Sequence, residues 1–222
     1  MNLHLDQSGK TSAPSGCLTE QQTQAVSLPG LITPEVGKAF VASLWGELAA
    51  GRLSFETHNH NLLRKNAIET NGDRYAPLGA FHWGLTPTVE KLLARRLIPH
   101  FSYFRLYYEG DICRIHSDRA DCEISMSLTL ASSDDAPWEL NVGTWPAEQL
   151  SPPAEDFGEE PFVSFAMSAG DAVLYRGPAR RHGRLAPNPN RWSAHAFLEW
   201  VDSAGPYASE ALNRLQHGAI AI

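Results

Sequence analysis

From about residue 101 the apolar residues of this 222-residue chain stop recurring every third or fourth position and begin to recur every second. A period of two belongs to strands, and one near 3.6 to helices. The clearest stretch runs Cys122, Ile124, Met126, Leu128, Leu130, alternating with Glu123, Ser125, Ser127 and Thr129. It predicts a strand with one buried and one solvated face. Phe101–Tyr108, Trp138–Gly143, Phe162–Met167, Ala172–Tyr175 and Arg191–Val201 read as further strands, with shorter ones near Ile112–His116 and Arg181–Leu185. Turn sequences such as Asp134-Asp135-Ala136-Pro137, Gly177-Pro178 and Asn188-Pro189-Asn190 separate them.

Ahead of the strands the pattern is helical. Thr33-Pro34 reads as an N-cap followed by proline at the first helical position. Phe40, Val41, Leu44, Trp45 and Leu48 make one apolar face, and Gly51 is the expected stop. A second helix is expected from Thr86-Pro87, with a stripe of Val89, Leu92, Leu93 and Leu97 that Pro99 ends. Residues 52–84 are mixed, with a turn at Asn71-Gly72-Asp73, and residues 1–27 are polar and aperiodic, as a mobile arm would be. Helices followed by eight strands predict a mainly β protein with N-terminal helices, an antiparallel barrel or jelly roll.

Composition narrows the function. The net charge of −7 disfavours a partner of nucleic acid, whose phosphates call for a basic surface. No apolar run approaches the roughly 18–20 residues of a membrane span, and the N-terminal segment lacks the apolar stretch of a secretory signal. Cys17, Cys113 and Cys122 are odd in number and have no CxxC spacing, so they read as reduced thiols of a cytoplasmic protein.

The segment Tyr107-Tyr108-Glu109-Gly110-Asp111-Ile112-Cys113-Arg114-Ile115-His116-Ser117-Asp118 carries the chemistry. His116 and Asp118, two apart on a strand, project to one side and can converge on one ion. His182, at the end of a strand, is the candidate third ligand. Two imidazoles and a carboxylate fill one face of an octahedron and leave three positions open, which suits Fe(II) or Mn(II) better than zinc. Arg191 and Ser193, beginning nine residues after His182, are a candidate clamp for a carboxylate. His195 shares their face as a core histidine. His58-Asn59-His60 finds no completing ligand downstream.

His116-x-Asp118, then His182 after 66 residues, then Arg191-x-Ser193 resembles the 2-oxoglutarate/Fe(II)-dependent dioxygenase superfamily. Tyr107, three residues before Gly110 and nine before His116, is similar to the cosubstrate-binding tyrosine of its prolyl-hydroxylase-like members. The resemblance covers about residues 101–201. It implies a double-stranded β-helix (a jelly-roll or cupin-like barrel). It implies Fe(II) on His116, Asp118 and His182, and 2-oxoglutarate reaching Arg191, Ser193 and Tyr107. The reaction with O2 then releases succinate and carbon dioxide and hydroxylates a substrate. Asp118 stands where related halogenases carry a small residue, which disfavours halogenation. The resulting organisation is a single catalytic domain over 28–222. Residues 28–100 supply helices and lid elements, 101–203 the β core and 204–222 a tail.

A small molecule, an amino acid or natural-product intermediate, is the expected substrate. Arg105, Arg176 and Trp138 are candidate contacts, and Trp83 and Trp145 further pocket candidates. A peptide or protein prolyl hydroxylase is the alternative within the class. A non-redox cupin-type metal protein is the alternative outside it, weakened because cupins usually carry histidine where Asp118 stands and glycine where Leu130 stands.

Overall fold

Two antiparallel sheets and three helices make up the computed structural model, which describes residues 25–58, 61–147 and 149–218. In chain order the elements are β1 (Val26–Leu28), α1 (Pro34–Ala49), β2 (Glu56–His58), β3 (Ala67–Asn71), α2 (Ala76–Leu93), β4 (Leu97–Tyr108), β5 (Cys113–His116), β6 (Ile124–Ser132), β7 (Leu140–Gly143), β8 (Phe162–Phe165), β9 (Ala172–Tyr175), β10 (His182–Arg184), β11 (Trp192–Asp202) and α3 (Ala208–Gly218). The larger sheet has the order β1-β9-β6-β11-β4-β3-β2, and the smaller β5-β10-β7-β8. The sheets lie face to face, since Arg184 of β10 reaches Ser127 of β6 and His195 of β11. Among the described residues no strand ladder joins them into a closed barrel.

The outer face of the large sheet carries the main core. Phe104 and Leu106 of β4, Met126, Leu128 and Leu130 of β6, and Ala194, Ala196, Leu198 and Trp200 of β11 pack with Val41 and Leu44 of α1 and Leu78 and Val89 of α2. Each fully buried leucine there contributes roughly 1.5–3 kcal/mol. The inner face is the alternate register set: Tyr103, Arg105 and Tyr107, then Ser125, Ser127 and Thr129, then Ser193, His195, Phe197 and Glu199. The expectation of a solvated Ser/Thr face on β6 is therefore corrected. All but the last residue of β6 are buried, because the small sheet covers the polar side. The space between the sheets is thus lined by polar groups, as a binding site requires.

Several boundaries differ from expectation. The helix expected at Thr86 begins ten residues earlier, at Ala76, where Pro77 occupies a first-turn position. Pro87 lies inside it and cannot donate to the Trp83 carbonyl one turn back. Thr86 bonds the His82 carbonyl at 3.0 Å and accepts from the Trp200 indole at 2.9 Å, tying that turn to β11. Pro99 lies within β4, beside a register shift opposite Glu199 and Trp200 rather than at a helix end. Val26 and Ser27, expected in the arm, pair with Leu174 and Val173 as part of β1, and residues 1–24 lie outside the described residues. β2 and β3 arise from the mixed segment, and the expected tail holds α3, whose Ala211 packs on Ile98 and Val201.

Candidate metal centre and its cavity

β5 and β10 pair so that His116 lies directly opposite His182. Asp118 follows β5, and its backbone N–H donates to the Gly177 carbonyl at 3.1 Å. This pairing gathers three side chains from positions 66 residues apart. Asp118 Oδ1 stands 3.3 Å from His182 Nε2 and 3.6 Å from His116 Nε2, and the ring centroids are 4.5 Å apart. One ligand atom from each residue falls within a 4.8 Å group.

The surroundings orient the trio. His116 Nδ1 donates to the Arg114 carbonyl at 2.8 Å, and His182 Nδ1 to the Arg180 carbonyl at 2.9 Å. Each ring's Nε2 lone pair is thereby presented to the centre, as metal-ligating histidines require. Ser125 donates to the second Asp118 oxygen, Oδ2, at 2.7 Å. Burial, with His182 next, lowers the His116 pKa. Burial alone would lower His182 too, but the Asp118 carboxylate outweighs it and raises that ring. Burial opposes ionisation of Asp118, yet the two histidines hold its carboxyl well below the ordinary range. This donor set fits a divalent ion of mixed N/O preference.

A cavity of about 550 Å³ opens on His116 and Asp118. β3 and β4 supply Glu69, Phe101, Tyr103 and Arg105, β11 supplies Glu199, and Glu56, Leu62 and Arg74 form its outer wall. Asp111 fixes part of that wall. Its Oδ1 accepts from the backbone N–H groups of Arg64, Lys65 and Ile112 at 2.9–3.0 Å, tying residues 62–65 beside β5. A narrower cleft, with free space of about 20 Å³, runs between the sheets from the trio past Tyr107 to Arg184.

The other expected residues divide. Tyr107 is fully buried and accepts from Arg105 Nη1 at 2.9 Å. Arg105 is buried against Glu69 and lines both spaces. Arg191 stands apart from both spaces. It precedes β11, so the alternation that would bring it beside Ser193 does not reach it. Its side chain is 73% exposed and pairs with Asp134 at 3.2 Å, outside the cavity. Ser193 is buried but is engaged by Asn188 and His195 at 3.0 Å each. Arg176 is exposed and lines neither space. Trp138 packs behind Arg184 and Tyr107, its indole donating to Ala186, and does not face the cavity. Trp83 and Trp145 are exposed. The His58 side chain, residues 59–60 and Cys17 lie outside the described residues, while Cys113 and Cys122 are buried free thiols.

Arg184 is a buried cation of the narrower cleft. It is 1% exposed and bonds only neutral groups: the Trp138 carbonyl at 2.7 Å, Ser127, His195 and the Met167 sulfur. No carboxylate pairs with it among the described residues, and burial lowers its pKa. Its signal was available, since residue i+2 from His182 on a strand shares its side.

No protein-family model and no curated protein matches the chain. Solved structures do match in fold. The non-heme alpha-ketoglutarate-dependent carbocyclase SnoK from nogalamycin biosynthesis superposes with a TM-score of 0.64 at 11% identity, over 82% of this chain and 81% of its own. HygX from Streptomyces hygroscopicus, with nickel and 2-oxoglutarate bound, gives 0.59 at 12% identity, over 85% and 89%. A Pseudomonas putida prolyl-4-hydroxylase gives 0.54 at 14% identity, over 81% and 94%. The chain therefore has the fold of the 2-oxoglutarate/Fe(II) oxygenases.

Proposed function

We propose that the protein is a 2-oxoglutarate- and Fe(II)-dependent oxygenase that hydroxylates a small molecule and releases succinate and carbon dioxide. The observation that carries this is the trio of His116, Asp118 and His182, gathered within 4.8 Å with both histidines holding their Nε2 atoms free for a metal. On this reading the two sheets are a double-stranded β-helix, 28–222 is one catalytic domain, and the cell compartment is the cytoplasm. Among the described residues no helix is long and apolar enough to cross a membrane.

His116, Asp118 and His182 would hold Fe(II), which when bound couples oxidative decarboxylation of 2-oxoglutarate by O2 to oxidation of substrate. Arg184 replaces Arg191 as the anchor for the cosubstrate's far carboxylate. A guanidinium buried without a counter-ion gains most from an incoming carboxylate. The cleft's free space is only about 20 Å³, so such a carboxylate must displace side chains along it. Tyr107 and Arg105 line the same cleft and would bound the cosubstrate on the β4 side. The walled 550 Å³ cavity suits a small substrate better than a folded polypeptide. The test is succinate formation with Fe(II), 2-oxoglutarate and oxygen, with a screen of amino acids and natural products as substrates. The proposal requires turnover in the native chain and its loss in His116→Ala; turnover unchanged in that variant would refute it.

A further inference from the structure

We propose that Glu199 selects a substrate carrying a basic amine and seats that amine beside the metal centre. This deepens the oxygenase reading and rests on it. Glu199 lies on the inner face of β11, opposite Ser125 of β6 on one side and Phe101 of β4 on the other. Ser125 is the group that holds Asp118, so Glu199 stands one strand from the metal ligand's support. It is 5% exposed and lines both the large cavity and the inner cleft. The register shift between Glu199 and Trp200 falls at this point, and such irregularities re-aim side chains beside sites.

The charges lining the cavity leave Glu199 as the odd member. Arg74 pairs with Glu56, Arg105 with Glu69, and Arg119 with Asp121. Asp118 faces the histidines. Glu199 has only the Cys122 thiol, which donates to its Oε2 at 2.7 Å, and no cation within ion-pair distance among the described residues. A buried carboxyl without a cation resists ionising, and burial, with the Asp118 charge next, pushes the Glu199 pKa up to about 8; a substrate ammonium is the partner that lets it ionise. A substrate carboxylate or phosphate would gain no cation from Glu199 and find every cavity arginine already engaged.

Calorimetry on the full chain, loaded anaerobically with Fe(II) and 2-oxoglutarate, tests this with two matched pairs: glucosamine against N-acetylglucosamine, and cyclohexylamine against N-cyclohexylacetamide. The amine of each pair should bind tenfold or more tightly than its amide, the scale of a charge-assisted hydrogen bond. Glu199→Gln should shrink the ratio to within about twofold, and Glu199→Asp, which keeps the charge, should preserve a preference. Equal binding of amine and amide by the native chain, no binding of either amine, or a preference that survives in Glu199→Gln would each overturn the inference. The visible charge-transfer band of the Fe(II)–2-oxoglutarate chain reports on the oxygenase reading separately. A band without amine preference sinks the Glu199 assignment alone, and amine preference without a band sinks the oxygenase reading alone.

Discussion

Ser125 donates its hydroxyl at 2.7 Å to Oδ2 of Asp118, leaving Oδ1 to face the two histidines. One carboxylate is thus fixed from β6 while it faces the histidines of β5 and β10. Groups that orient a ligand this way commonly govern affinity by about 10–100-fold. Ser125→Ala should therefore weaken metal binding by that order while the fold survives. Titration of Ni(II) or Fe(II) into the metal-free chain, with circular dichroism as the fold control, measures it; unchanged affinity would show that Ser125 does not position the ligand.

Gly177 makes the same point from the backbone. A methyl group there would overlap Asp118 Oδ2 and Ser125 Oγ. Gly177→Ala should lower metal affinity tenfold or more although residue 177 supplies no ligand, and overpacking should cost about 1–3 kcal/mol of stability. Metal titration and denaturant unfolding check the two parts. Wild-type affinity in this variant would mean that the carboxylate has room to relocate.

The two candidate anchors for 2-oxoglutarate behave differently if the buried guanidinium is the one used. Arg184→Met should weaken 2-oxoglutarate binding roughly 10–100-fold, the worth of charge-assisted hydrogen bonds. Arg191→Ala removes only an exposed pair with Asp134 and should change it less than about twofold. Equilibrium binding of 2-oxoglutarate to the anaerobic Fe(II) protein separates them, and a large effect at Arg191 with none at Arg184 would reverse the assignment.

His82 of α2 lies edge-on against Trp200, and burial, followed by the charge of His100, pushes its pKa down to about 3 from 6.5. The unfolded chain therefore takes up a proton below pH 6.5 that the folded chain refuses until about pH 3. Stability contributed by the neutral ring is complete above 6.5 and is lost as pH falls toward 3, at a rate of up to about 1.4 kcal/mol per unit. His82→Phe should flatten the acid limb of stability measured by urea unfolding between pH 7 and 4. Parallel limbs in the two proteins would remove His82 from the account.

Much of this was legible in the sequence because period-two patterning survives wherever a strand has one apolar face. All eight strands of the expected core are present, within a few residues of their expected bounds. The meeting of His116, Asp118 and His182 was legible too, since His116 and Asp118 share a short segment and His182 follows a strand. The exposure of Arg191 was not legible because spacing counts residues, whereas the turn through Asn188 and Asn190 ends only at Trp192 and leaves Arg191 in solvent. Burial of the Ser/Thr face of β6 was invisible because alternation marks two faces without saying what covers the polar one. Glu199 was passed over for the same reason. It continues the series Ser193, His195, Phe197, but nothing local tells that this face looks onto a cavity rather than water.

Anaerobic titration of Fe(II) and 2-oxoglutarate, followed by visible charge-transfer absorption, bears most directly on the centre formed by β5 and β10. The account predicts a band that saturates at one ion per chain in the native protein and is missing from His182→Ala. A native chain that stays colourless, or a band that persists without His182, would contradict it.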